Sequence, residues 1–155
     1  MSINDKVFGE LEFNYDWVGY KNMNFCGKDA EIAIMISGEE DGKFDDNQYA
    51  AYKYLIENWS GIQQIILKSI FDYYKKRRHE LGYDVEYNES YPLLETPDQL
   101  LEKIMLVGVI IPNPELFEFL DTGIMFDCAW DPENGVGVRL IKGEVVKVGF
   151  QDIVM

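Results

Sequence analysis

With 155 residues, of which 47% are hydrophobic and 14% aromatic, the chain can bury roughly two thirds of its unfolded surface, which excludes a disordered or staple-dependent chain and predicts one domain spanning 1–155. A net charge of −14 from 28 acidic and 14 basic side chains argues against a nucleic-acid partner. Cys26 and Cys128 stand alone without C-x-x-C spacing, which argues against a zinc site or disulfide scaffold and for buried free thiols.

The N-terminus lacks the basic and apolar regions of a leader, and no window approaches ~18 consecutive apolar residues, so a cytoplasmic protein with no membrane partner is expected. "VFGELEF" (7–13) alternates Val7, Gly9, Leu11 and Phe13 against Phe8, Glu10 and Glu12. "AEIAIMIS" (30–37) sets Ile32, Ile34 and Ile36 on one face, and Trp17 and Tyr20 belong to a strand between the two. "GEEDGKF" (38–44) then reads as a turn.

Three helix starts follow, each with a capping side chain three residues before a glutamine: Asp45 with Gln48, Ser60 with Gln63, and Thr96 with Gln99. The first helix, over 46–58, repeats Tyr49, Tyr52, Ile56 and Trp59. The second, over 61–79, repeats Ile62, Ile65, Ile66, Ile70 and Tyr73, and it ends in "KKRRH", where cations suit the negative end of the helix dipole. With only "WSG" between them, an antiparallel pair is expected. Pro97 opens a third helix over 97–105.

Residues 81–95, "LGYDVEYNESYPLLE", carry three tyrosines and no clean period, and they read as an irregular surface segment. From Leu106 the pattern returns to strands: "LVGVIIP", "TGIMFDCAW", "GVGVRL" and "EVVKVGF". The fold class expected is therefore α+β: a mostly antiparallel sheet, made of N-terminal strands and a C-terminal four-stranded meander, packed against about three helices.

The densest group of candidate ligands is Asp127, Asp131 and Glu133. Ile124, Phe126, Cys128 and Trp130 share the face opposite Asp127, and "DPENG" has the residues of a tight turn. A five-residue loop would pair Trp130 with Val136 and Cys128 with Val138, and would set Asp127 opposite Arg139. For the next turn, a three-residue loop with Gly143 in the left-handed region would place Val146, Val148 and Phe150 on the apolar face. Asp131 and Glu133 remain the metal candidates, although six or more oxygens and the EF-hand spacing are lacking.

His79, the sole histidine, lies in a charged helix end, and no nucleophile elbow or phosphate loop accompanies it, so no catalytic residue and no cofactor is assigned. From Glu80 to Gly135 thirteen acidic residues stand against one lysine. Such a stretch favours a protein partner with a basic surface, with plain solubility as the alternative reading. The interaction candidates within it are Tyr83, Asp84, Glu86, Tyr87, Glu89 and Tyr91.

The run "GIMFDCAWDPENGVGVRLIKGEVVKVGFQDI" (123–153), with "FGELEF" and Trp17, resembles a family of small bacterial domains of unknown function that share a W-D-x-E-[NH]-G-x-G-[VI] hairpin. The resemblance covers the two ends of the chain and extends to the helical middle in pattern. Some members are suspected toxin-immunity proteins, so it implies a binding protein, and it implies fold roles for Trp130, Asp131, Glu133, Gly135 and Gly137. The expectation is a non-enzymatic acidic binding protein. A small divalent-metal enzyme or metal-binding protein using Asp127, Asp131 and Glu133 is the alternative, and a scaffold for the cell's own proteins is a third.

Overall fold

The computed structural model describes residues 1–113, 115 and 120–155. One eight-stranded sheet follows chain order: β1 (Ser2–Asp5), β2 (Gly9–Asn14), β3 (Asp16–Phe25), β4 (Lys28–Ile36), β5 (Ile104–Ile111), β6 (Asp121–Cys128), β7 (Val136–Ile141) and β8 (Glu144–Gly149). All pairs are antiparallel except β4 and β5, which run parallel with Ile34 beside Val109. Between those two strands come α1 (Asp46–Glu57), α2 (Trp59–Glu80) and the short α3 (Pro97–Leu100). The α+β class and the C-terminal meander are as the sequence predicts. Among the described residues no helix is long and apolar enough to cross a membrane.

One sheet face carries the core. Trp17, Ile32, Ile34, Ile36, Leu106, Val109, Ile124, Phe126, Val138 and Leu140 lie buried with Leu55, Ile66, Leu67, Ile70 and Tyr74 of the helices. The alternation of Ile32, Ile34 and Ile36 holds, but that of residues 7–13 fails at its start. Phe8 is buried, because Val7 and Phe8 form a turn whose N–H groups donate to the Asp5 carboxylate, both at 2.9 Å. This turn closes the β1–β2 hairpin, whose first strand the alternation pattern does not reveal. Phe8 stacks on Tyr49 and meets Phe44 and Tyr52 edge-on.

The helix expectations hold in part. At Asp45 the capping box is complete: Asp45 Oδ1 accepts from Asn47 N at 2.8 Å and Gln48 Oε1 from Asp45 N at 3.0 Å. Ser60 caps nothing, because α2 already starts at Trp59 after Asn58. Gln63 instead accepts from Cys26 N at 2.6 Å, tying α2 to the β3–β4 turn.

The buried stripe of α1 is Gln48, Ala51, Tyr52 and Leu55, leaving Ile56 exposed. On α2, Leu67, Phe71 and Tyr74 are buried where Ile65 and Tyr73 were expected to be. Tyr52 of α1 and Ile62, Ile66 and Ile70 of α2 are buried as expected, and both stripes keep helical spacing while their flanking members differ from those expected. Asn58, with φ −109° and ψ 11°, is the whole connection between α1 and α2. One residue near helical dihedrals bends the chain without reversing it, so the expected antiparallel pair gives way to two helices bent along the sheet. The third helix stops at Leu100 and passes through a 3-10 turn into β5 at Ile104, because the β-branched run that follows favours a strand.

Both hairpin registers need correction. Phe126 pairs with Val136, Ile124 with Val138 and Gly123 with Arg139, four residues along β6 from the predicted alignment. The shift is even, so the buried faces survive while the named pairs do not. Cys128 pairs with Ile104 of β5 and lies beyond the reach of β7. The next turn is the two-residue Lys142–Gly143, with φ +53° and +76°, and not the three-residue loop. A bulge between Arg139 and Leu140 then absorbs one residue, so Val148 faces Val138 as expected while Val146 is exposed.

Candidate functional site on an aromatic stack

Tyr74 brings the two regions singled out in the sequence together. Its ring stacks on Tyr91 at 5.8 Å and meets Trp130 edge-on at 4.9 Å, while Tyr83 packs on Tyr91 at 5.2 Å. Trp130 reaches this stack because β6 outlasts β7 and the intervening loop carries its side chain onto α2. Burial drives the Tyr74 hydroxyl up to about 12, with Arg78 pulling back. Still protonated, it donates to Pro92 O at 2.6 Å.

The end of α2 fastens the irregular segment. Arg78 donates from Nε to Tyr91 O at 2.9 Å and from Nη1 to Asp84 Oδ1 at 3.1 Å. His79 Nδ1 meets the other oxygen of Asp84. The end of α2 that suits the helix dipole, with the Arg78 guanidinium at its centre, thus also holds a carboxylate from the next segment. Above this anchorage Val85 is 92% exposed, Tyr87 83% and Leu93 68%, interleaved with exposed Glu86, Glu89 and Glu95.

The six interaction candidates therefore divide. Tyr91 is buried and Tyr83 half-buried, so both build the stack; Asp84 is held by α2; Glu86, Tyr87 and Glu89 face solvent. The rings of 73 and 74 also part ways: Tyr74 is buried and Tyr73 only partly so. Val85 and Leu93 were absent from the sequence reading. Two apolar residues in a segment with no period give no sign of which way they point, so only the structure could add them.

In the loop 127–135 Asp131 and Asp127 are engaged by amide side chains. Asp131 accepts from Asn134 Nδ2 at 3.0 Å, closing the turn, and its backbone carbonyl accepts from Gly135 N at 3.0 Å. Asp127 accepts from Gln151 Nε2 at 3.1 Å and does not meet Arg139. Arg139 instead binds Asp121. Glu133 is exposed. Among the described residues no group of three or more His, Cys, Asp or Glu is placed to hold a metal ion. Cys128 is buried and its thiol donates to Asp131 O, and burial pushes that thiol up to about 11, so it is no thiolate at neutral pH.

The motif glycines sit where side chains would collide. A Cβ on Gly135 would lie 2.3 Å from the Gln151 amide, and one on Gly137 would lie 2.7 Å from Phe150 O. Both face the C-terminal turn Gln151–Val154, which lies across the outer face of β6 and β7.

No curated protein and no solved structure matches the chain. One family model, described as a domain of unknown function (DUF6985), matches residues 7–155, so the match runs through the helical middle as well as both ends.

Proposed function

The chain belongs to the DUF6985 family, and from that premise we propose that it is a non-enzymatic, acidic, cytoplasmic binding protein, an immunity protein that covers the basic surface of a cognate toxin. The observation that carries this reading is the segment 84–95, where exposed Val85, Tyr87 and Leu93 alternate with carboxylates on a base held by Arg78, His79 and Tyr74. A protein that must capture a cationic surface needs carboxylates to steer the encounter and a few apolar anchors to hold it. An anchored segment also loses less conformational freedom on binding than a loose one. The same negative charge keeps nucleic-acid backbones away.

The test is calorimetry of the chain against the toxin domain encoded beside its gene, at low and high salt. Binding at about micromolar Kd or tighter is expected, weakening with salt. Tyr87→Ala should cost about tenfold in affinity or more, and the double change Glu86→Lys with Glu89→Lys should cost at least as much. Absence of binding at micromolar concentration, or binding indifferent to these changes, would sink the reading.

A further inference from the structure

β3 runs on after its neighbour has left it. β2 pairs with β3 only over Glu12 to Val18, Phe13 to Trp17 and Asn14 to Asp16, whereas β4 stays paired with β3 as far as Phe25. The parting occurs at Gly19. There a Cβ would lie 2.7 Å from the carbonyl oxygen of Glu10 and 2.8 Å from Leu11 Cδ2, so β2 crosses over the core face of β3 at that point instead of continuing beside it.

Cys26 and Gly27, with φ +50° and +95°, form a two-residue turn, which makes Phe25 and Lys28 a hydrogen-bonded pair. By alternation Met23, Lys21 and Gly19 direct their backbone groups to β4, and Tyr20, Asn22 and Asn24 direct theirs to the opposite edge. The carbonyl of Asn24 accepts from Trp59 Nε1 at 2.8 Å. Among the described residues, no turn, loop or cap hydrogen bond reaches the backbone of Tyr20 or Asn22. Two donors and two acceptors are left on an open strand edge.

The surroundings of that edge are acidic. Exposed Glu10 and Glu12 lie on the departing β2, exposed Glu31 stands across from Asn22, and Tyr20 is 70% exposed. A cleft of about 290 Å³ opens between the parted strands, lined by Glu10, Glu12, Val18 and Tyr20 among others. Lys21, the one cation among the described residues lining the cleft, is outnumbered there by Glu10 and Glu12, and its Nζ reaches back to within 3.4 Å of where a Cβ of Gly9 would be.

We propose that this edge of β3 accepts an extended, lysine- or arginine-bearing segment of a partner protein as an added strand. Backbone bonds to Tyr20 and Asn22 supply affinity, and Glu10, Glu12 and Glu31 select the cationic side chains. A second copy of this chain is a poor occupant, because it would bring the same carboxylates together. This surface is separate from the segment 84–95 and goes beyond the function proposed above.

The test is amide hydrogen exchange by NMR on the full chain, with a decapeptide of alternating Lys and Val as probe. The amides of Tyr20 and Asn22 are expected to exchange fast in the free protein and about tenfold or more slower with the peptide. An N-methylated peptide that cannot pair, and a Glu/Val peptide, should both leave them fast. Glu10→Lys with Glu31→Lys should weaken the protection while leaving the rest of the spectrum in place.

Slow exchange of these amides in the free monomer would overturn the proposal, and so would protection that appears only with self-association. A peptide that fails to bind, or binds and protects only 84–95, would overturn it too. In every such case the toxin experiment decides the proposed function independently.

Discussion

The guanidinium of Arg139 closes on the carboxylate of Asp121, with Nε at 3.0 Å and Nη2 at 2.6 Å from the same oxygen. The Asp121 side chain is only 2% exposed and that of Arg139 30%. Removing Asp121 takes away the charge-assisted hydrogen bonds that it accepts from Nε and Nη2, so Asp121→Ala should lower stability by up to about 3 kcal/mol. Asp127→Ala, at an exposed carboxylate that meets an amide, should stay within about 1 kcal/mol. Urea unfolding of the two variants checks this, and equal effects would contradict it.

Gly19 is where β2 crosses β3, and the obstacle to a larger residue is a backbone oxygen that cannot swing aside. Gly19→Ala should therefore cost about 1–3 kcal/mol, although alanine suits a strand better than glycine. A thermal scan showing an unchanged or raised Tm would show that the crossing is not tight.

Alkaline pH should loosen the fold in a defined window. Burial pushes Cys128 up to about 11 from 9.0, and burial likewise drives Tyr74 up to about 12 from 10.0, against the pull of Arg78. Both folded values lie above the unfolded ones, so the stability they contribute is complete below pH 9 and drains away as pH rises toward 12. Cys128→Ala should flatten the part between 9 and 11. Stability constant from pH 8 to 11.5 in the parent chain would refute the assignment.

Calcium, magnesium and manganese are expected to leave Tm unchanged, because Asp131 closes its own turn and Asp127 engages Gln151. A rise in Tm with any of them that Asp131→Ala abolished would restore the metal reading of Asp127, Asp131 and Glu133.

The tyrosines should separate into two kinds. Tyr87→Ala is expected to change folding stability by no more than about 0.5 kcal/mol, since the ring is exposed. Trp130→Ala should cost about 3–5 kcal/mol, and Tyr74→Phe about 1 kcal/mol through the lost bond to Pro92. Chemical denaturation of the three variants settles the split. A destabilising Tyr87→Ala would mean that the segment is held through its tip.

Side-chain alternation made the strands legible. Ile32, Ile34 and Ile36 fall on the core face as written, and so do Val136, Val138 and Leu140. What alternation cannot supply is a shift by an even number of residues, which leaves every face unchanged. The pairing of Asp127 with Arg139 was lost in that ambiguity.

The helix stripes were legible at Tyr52, Ile62, Ile66 and Ile70 and missed at their flanks, because isoleucine and leucine are interchangeable to a periodicity count, while only the sheet decides which of Ile65 and Leu67 turns inward. At the candidate site, the spacing of Tyr83, Tyr87 and Tyr91 shows three similar residues. Their division into stack and surface comes from Tyr74 and Arg78, neighbours supplied by a distant helix. The departure of β2 at Gly19 left no mark in the pattern, since a glycine in a strand signals a close approach without saying by what.

The parallel seam between β4 and β5 sets the topology apart from a simple meander. Six of the seven strand pairings form between antiparallel neighbours joined locally, but this one contact waits on the entire excursion of residues 37–103. Such an excursion is about five doublings longer than a two-residue turn, and at about 0.6 kcal/mol each its closure costs roughly 3 kcal/mol more in chain entropy. That deficit falls on Ile34, Ile36, Val109 and Ile111 and on the helices packed over them, which makes the seam the entropic bottleneck through which two locally wound halves become a single molecule.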